Sequence, residues 1–352
     1  MDTEFHKAHE DLTEIIYTTP GMLPSRYVFV ITNRCNLNCD FCFQDKKPKK
    51  DAMTAEDWIN VAKQLPDYAR VTITGGEPLI YPEFEKVFSY VAERFNCNLI
   101  TNGLLLNEKK IDYLLSYPKF RVLSISIDDI GNKVRGVKEK QWEHLEKILT
   151  YFTDKKNESN SSAILDVKTM ILDGNAENLF DIYKYLKEKI KVDTHAFQFL
   201  KGSPIQHSDC MFELEKISEE SNAYVYNKFE IIEKELEKVR EYNIKKGLQS
   251  FLHPKVASLS SNELLGNLES LNEEKHNPKI YQNCKFPWSS MHINPDGRVF
   301  PCLAISLGDI RKNSLIEIIN GQESNRFREI IKREGTVEAC NRCGWLRLNG
   351  EK

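Results

Sequence analysis

The chain has 352 residues, 41% of them hydrophobic, and a formal net charge of −3. That length can bury the core of one large α/β domain, alone or with a smaller module, and the near-balanced charge gives no basic field for holding a nucleic acid. The acid-bearing start MDTEFHKAHEDLTEIIY lacks a signal-peptide core and no window reaches the length of a membrane span, so a cytoplasmic protein is expected.

In chain order, β-branched runs alternate with amphipathic stretches. Strands are expected at Tyr27–Ile31, Val71–Thr74, Asn98–Thr101, Arg121–Ile127, Ile164–Ile171 and Thr194–Leu200. Between them lie helices at Ala55–Gln64, opened by Thr54 and Asp57, then at Glu83–Arg94, Glu108–Tyr117, Lys140–Phe152 and Ala176–Ile190. Six strands joined by helices require crossover connections, which is the pattern of a parallel sheet whose functional loops gather at the carboxyl ends of the strands. From Met211 to about Lys275 the chain is charged and helix-rich, and Phe229, Ile232, Leu236 and Val239 mark the buried face of a long helix stopped by Gly247. This segment is expected to bridge to the last module and to roof the sheet mouth. Ser290–Asn294, a turn at Asn294–Gly297 and Arg298–Phe300 form a hairpin, followed by a short helix opened by Ser314 and Glu317. The expected organisation is an extension over residues 1–25, a core over 26–209, a helical bridge over 210–280 and a small module over 281–352.

Nine cysteines in a reducing compartment favour metal ligation over disulfides. Cys35, Cys39 and Cys42 form a C-x3-C-x2-C triplet on the loop after the first strand. Three thiolates on one short loop can hold three corners of a four-iron cluster and leave one iron open, whereas structural zinc usually draws on two separated pairs. Cys284, Cys302, Cys340 and Cys343 frame the last segment, and four thiolates can close a cubane or a zinc site; spacing alone leaves both open. Thr74-Gly75-Gly76-Glu77-Pro78 follows the second strand, where glycines let a ligand approach the backbone and Glu77 offers an acceptor to an ammonium group. Alone that tetrapeptide reads as a turn before a helix, and Lys46, Lys47, Lys49 and Lys50 as a solvated turn. Cys97 reads as packing. Cys210 also reads first as a small core residue, and second as a tentative hydrogen donor at the sheet mouth. His195, Gln198 and Lys201 could face the cavity or be ordinary strand and loop residues.

Taken together, the triplet with Phe41 before its last cysteine and the Gly-Gly-Glu-Pro run resemble the radical S-adenosylmethionine (SAM) enzymes. The resemblance implies a partial (β/α)6 parallel barrel of the radical SAM type, with the helical insertion and the carboxyl-terminal hairpin and helix as an auxiliary-cluster module. It implies a [4Fe-4S] cluster on Cys35, Cys39 and Cys42 whose open iron chelates SAM. Phe41, Gly75, Gly76, Glu77, Pro78, Asn102, Ser126 and Asp128 are the implied cofactor contacts. The last four cysteines resemble SPASM and twitch modules. With none after Cys343, the shorter twitch type with one auxiliary [4Fe-4S] cluster is implied.

The implied chemistry is reductive cleavage of SAM to a 5′-deoxyadenosyl radical, which takes hydrogen from a substrate carbon, with flavodoxin or ferredoxin as low-potential donor. The short stretch before Cys35 tilts the expectation toward oxidation of a small polar metabolite such as a sugar, aminosugar or cyclitol. A maturase or epimerase of a ribosomally made peptide is the alternative, and a non-catalytic iron–sulfur or zinc protein is the reading from another class.

Overall fold

The computed structural model describes residues 4–350 apart from 43, 45–50, 201–223, 262–267, 274 and 303–304. The lysine-rich turn after the triplet, Lys201 and Cys210 all lie outside the described residues.

The elements run α1 (Glu4–Thr18), β1 (Arg26–Val30), α2 (Ala55–Ala62), β2 (Arg70–Thr74), α3 (Phe84–Arg94), β3 (Asn96–Thr101), α4 (Glu108–Leu115) and β4 (Phe120–Ser126). They continue with α5 (Glu139–Glu158), β5 (Ile164–Ile171), α6 (Leu179–Tyr185), β6 (Thr194–Phe199), α7 (Phe229–Lys246) and β7 (Phe251–His253). The carboxyl-terminal part holds α8 (Phe286–Ser289), β8 (Ser290–Ile293), β9 (Arg298–Phe300), β10 (Gly308–Asp309), α9 (Leu315–Ile319) and α10 (Gln322–Glu334). Local chemistry sets several boundaries. Thr54 with Asp57 and Ser314 with Glu317 form capping boxes on α2 and α9. Gly247 ends α7 in the left-handed region at φ +65°, which a side chain would disfavour.

One sheet contains all ten strands in the order β10-β9-β8-β1-β2-β3-β4-β5-β6-β7. Each neighbouring pair from β8 through β1 to β7 is parallel, and β9 and β10 add antiparallel edges. Two of these strands were not expected to join the core. Strand β7 pairs with β6, so α7 is the crossover helix of another strand–helix–strand unit. Its Ile232, Leu236 and Val239 pack with Tyr183, Phe197 and Phe199, which places α7 in the helical layer instead of over the sheet mouth. Strand β8 pairs with β1 from Arg26↔Ser290 to Phe29↔Ile293, so the carboxyl-terminal hairpin continues the main sheet. Helix α1, read from sequence only as an extension, packs on α8 through Thr13 Oγ1 to Ser289 Oγ at 3.0 Å and Tyr17 against Trp288 at 4.9 Å.

Side-chain alternation gives the sheet two chemically distinct faces. Tyr27, Phe29, Val71, Ile73, Leu99, Leu123, Ile125, Leu165 and Val167 form one buried apolar cluster with Trp58, Phe88, Leu149 and Phe152 of the helices. At about 1.5–3 kcal/mol for each fully buried large side chain, this layer supplies most of the driving force for the architecture. Residues at the alternate positions, among them Thr72, Asn98, Ser124, Asp166, Lys168, Thr194 and Gln198, form a polar inner face. Ser124 Oγ and Thr194 Oγ1 each donate to Asp166 at 2.7 Å, and Lys168 Nζ stands 3.4 Å from it. Burial alone would raise Asp166, but Lys168 and the two hydroxyls outweigh it and hold the carboxyl below its ordinary value.

Candidate active site

The loop after β1 and the loop after β2 are built as one unit. Ile31 N donates to Thr74 O at 2.9 Å, Gly76 N to Thr32 O at 2.8 Å and Glu77 N to Arg34 O at 2.8 Å. A Cβ on Gly75 would stand 2.4 Å from Thr32 O, and one on Gly76 2.3 Å from Arg34 O. The glycines are therefore required by the approach of the cysteine loop's own backbone, a reason different from the ligand approach expected from sequence.

Glu77 is fully buried, and both carboxylate oxygens accept protein hydrogen bonds. Oε1 receives Thr101 Oγ1 at 2.7 Å and Leu79 N at 3.1 Å, while Oε2 receives Asn102 N at 2.8 Å. Burial raises its pKa against these three donors. The acceptor that the sequence offered to an ammonium group thus serves to fasten the loop after β2 to the loop after β3. Pro78, buried, begins the short 3-10 turn that Glu77 caps. Asn102 extends the tie, with Nδ2 donating to Asn36 Oδ1 at 2.8 Å and standing 3.9 Å from Cys35 Sγ.

Cys35, Cys39 and Cys42 are half-buried thiols outside any disulfide on this braced loop. Leu37 N points at Cys35 Sγ at 3.4 Å, and Cys42 N donates to Cys39 O at 3.2 Å. Amide donors aimed at a sulfur favour its thiolate and tune any iron it holds.

At the end of β4, Asp128 is also fully buried. Its Oδ1 receives Met170 N at 2.7 Å and its carbonyl receives Asn175 Nδ2 at 2.7 Å. Arg135 Nε stands 2.7 Å from Asp128 Oδ2, an ion pair at close range. Burial raises Asp128 and Arg135 opposes the rise. The Arg135 guanidinium also lies 5.2 Å from the centre of the Phe41 ring, and its carbonyl is 4.0 Å from Cys39 Sγ. Arg135 therefore joins the end of β4 to the cysteine loop. Sequence reading missed it, because an arginine in a Gly- and Asn-rich loop carries no spacing signal. Ser126, half-buried on the inner face, is in register with Lys168.

His195 does not reach this side of the sheet. It is fully buried toward the helices, with Nε2 3.0 Å from Thr169 Oγ1 and its ring 4.4 Å from that of Phe197; burial lowers it to about 3, so it stays neutral. Gln198 is on the inner face, in register with His253. Cys97 is fully buried in the apolar layer, as expected.

A second cysteine group forms where α1, α8 and the carboxyl-terminal turns meet. Cys284 N donates to Gly335 O at 3.0 Å, and Cys343 N to Cys340 O at 2.8 Å. Burial, then the neighbouring Cys343 and Cys302 thiols, pushes Cys284 up to about 12. Burial, then Cys284 and Cys343, raises Cys340 further. Cys284 and Cys340, both raised and each feeling the other cysteines, need a cationic centre close by to ionise. Among the described residues no three His, Cys, Asp or Glu side chains converge where a single metal ion could sit. A cluster several atoms across asks instead for thiols that share a neighbourhood, which these four do, and the donor set is all sulfur.

Residues 29–172 match the family model of the radical SAM superfamily, and residues 284–344 match the SPASM iron–sulfur cluster-binding domain. The chain therefore carries a radical SAM domain and a carboxyl-terminal SPASM domain. It is an enzyme whose cofactors are SAM on a [4Fe-4S] cluster and an auxiliary iron–sulfur cluster in the SPASM module. Two curated relatives come from Bacillus subtilis. The subtilosin biosynthesis protein AlbA is 29% identical over 116 residues, covering 32% of this chain and 26% of AlbA. The sporulation killing factor maturation protein SkfB is 31% identical over 167 residues, covering 46% of this chain and 39% of SkfB. The matches thus span about a quarter and two-fifths of those proteins. Among solved structures, Streptococcus suis SuiB bound to its precursor peptide SuiA superposes with a TM-score of 0.64 over 98% of this chain and 74% of SuiB. At 16% identity that likeness speaks for the radical SAM fold alone.

Proposed function

We propose that this radical SAM enzyme modifies a ribosomally made peptide, with Cys35, Cys39 and Cys42 holding the SAM-binding cluster and Cys284, Cys302, Cys340 and Cys343 holding the auxiliary one. The observation that carries the substrate class is the similarity to AlbA and SkfB, whose names place them in the making of a bacteriocin and the maturation of a killing factor. The expectation of a small sugar-like metabolite gives way to this alternative. The inner face is compatible with it, since Asn98 and Gln198 carry neutral side-chain amides that can pair with peptide amides.

When bound, SAM and its cluster supply a 5′-deoxyadenosyl radical, and a fully ligated auxiliary cluster supplies an electron acceptor. This chain's residues do the positioning. Glu77, Thr101 and Asn102 lock the loops after β2 and β3 against the cysteine loop, and Asp128 with Arg135 locks the end of β4 to the same loop. Phe41 is held under the Arg135 guanidinium, and Ser126 with Lys168 remains at the inner mouth for ligand contact. The apolar layer behind the sheet closes the site to water from that side. An external low-potential protein such as a ferredoxin or flavodoxin is the proposed reductant. Among the described residues no helix is long and apolar enough to cross a membrane.

The test is anaerobic reconstitution with iron, sulfide, SAM and dithionite, with short peptides encoded beside the gene as substrates. A peptide product lighter by two hydrogens, or epimerised, together with 5′-deoxyadenosine is the expected result. Formation of 5′-deoxyadenosine with every such peptide unchanged, and turnover of an aminosugar or cyclitol instead, would sink the peptide reading.

A further inference from the structure

The foot of the inner face carries a charge that the chemistry above does not use. Arg26 opens β1, where its register partners are Arg70 on β2 and Ser290 on β8. Its Nη1 donates to Ser290 Oγ at 2.8 Å and stands 3.4 Å from His292 Nε2. The guanidinium lies 5.1 Å from the centre of the Trp345 ring, and that ring stacks on Phe286 at 4.0 Å. Trp345 is two residues past Cys343, and Phe286 is two residues past Cys284. The cation therefore caps an aromatic pair that spans two arms of the carboxyl-terminal cysteine group.

Every contact of Arg26 is with a neutral or cationic group: a hydroxyl, an imidazole, an indole face and the neighbouring Arg70. No carboxylate pairs with it among the described residues. Arg26 is half-buried, and holding an arginine partly out of water with no anion beside it carries a cost. Burial brings Arg26 down to about 10, so it stays charged at neutral pH, and the acidic group that opposes this shift is Cys343. Arg70, lowered by burial to about 9 and repelled by Arg26, adds positive charge instead of balancing it. A cluster on four thiolates carries the missing negative charge.

We propose that Arg26 tunes the auxiliary cluster, setting a fixed positive charge beside the Cys343 arm and raising the cluster's reduction potential so that it accepts an electron more readily. The inference rests on the ligation proposed above and is independent of which substrate is modified. A nearby cation stabilises the more negative, reduced form, and net charge is among the main determinants of such potentials. Ser290, His292 and Trp345 hold the guanidinium in place, so Arg26 is a positioning and tuning residue that touches no reacting atom.

The experiment is an EPR-monitored redox titration of the reconstituted full chain in a Cys35→Ala, Cys39→Ala, Cys42→Ala background, where the remaining signal belongs to the auxiliary cluster. Arg26→Met should shift the one-electron equilibrium at least tenfold against reduction, a fall of about 59 mV, while Arg26→Lys should stay within threefold of the parent. An unchanged midpoint in Arg26→Met at full iron content would overturn the proposal. If the Met variant loses its iron, Arg26→Gln, which can still reach Ser290, carries the same test. Loss of iron from both, but not from Arg26→Lys, would show the charge requirement directly; loss from all three would make the role structural and overturn the tuning. Absence of any EPR-active cluster in the parent would instead refute the ligation by the four cysteines, and a peptide that goes unmodified leaves the potential measurement unaffected.

Discussion

The two cysteine groups differ in how the protein presents their thiols. Cys35, Cys39 and Cys42 stand half-buried on a loop that is braced from outside by Gly75, Gly76, Asn102 and Arg135, and they leave one corner of a cluster to a ligand. Cys284, Cys302 and the Cys340–Cys343 turn come from separate segments, are likewise half-buried, lie close enough to feel one another, and could complete a cluster by themselves. On the proposed ligation, rigidity is borrowed from neighbouring strands at the first group and would come from the cluster itself at the second. An open site must be held in shape without the metal's help if SAM is to come and go, whereas a closed site is shaped by its metal.

The largest effect that can break this contrast comes from emptying each group in turn. Replacing Cys35, Cys39 and Cys42 with alanine should reduce 5′-deoxyadenosine to background while the auxiliary signal persists. Cys302→Ala should leave SAM cleavage in place and stop conversion of the peptide, measured in the same reaction mixtures by mass spectrometry; equal loss of both activities would erase the distinction between the groups.

Bracing is tested by smaller changes that leave every cysteine alone. Arg135→Met strands the buried Asp128 charge and should cost about 3–5 kcal/mol of stability, read from denaturant midpoints. Gly76→Ala forces the β2 loop off the cysteine loop and should cost about 1–3 kcal/mol together with a loss of SAM cleavage. If Gly76→Ala cleaved SAM at the parent rate, the external bracing would not matter to the open site.

The smallest expected effect lies on the inner face. The folded carboxyl of Asp166 is held below its ordinary value of 3.8, so its contribution is complete above that pH and is lost as the pH falls through the folded value. Asp166→Asn should therefore flatten the acid limb of the stability curve below about pH 4 and leave its slope at neutral pH unchanged.

Much of this was legible in the sequence, for identifiable reasons. Strand β5 was read at its observed limits because Ile164–Ile171 is rich in β-branched residues with turns on both sides. The triplet and the Gly-Gly-Glu-Pro run were found because short-range spacing carries their chemistry. What escaped depends on contacts distant in sequence. Strand β7 is three residues long, too short for periodicity, and the pairing of β8 with β1 joins segments 264 positions apart. The same limit hid the contacts that Glu77 and Asp128 make within the protein. The donors that reach these carboxylates, Thr101 and Asn102 at the end of β3 and Met170 within β5, lie 24 to 42 positions further along the chain.

The contrast between an open and a closed cysteine group is tested most directly by counting iron and 5′-deoxyadenosine in the same anaerobic preparations of the parent and the triplet-alanine chain. Two four-iron clusters predict about eight irons in the parent and about four in the variant, with 5′-deoxyadenosine formed by the parent alone. Equal iron in the two chains, or SAM cleavage that survives loss of the triplet, would contradict the account.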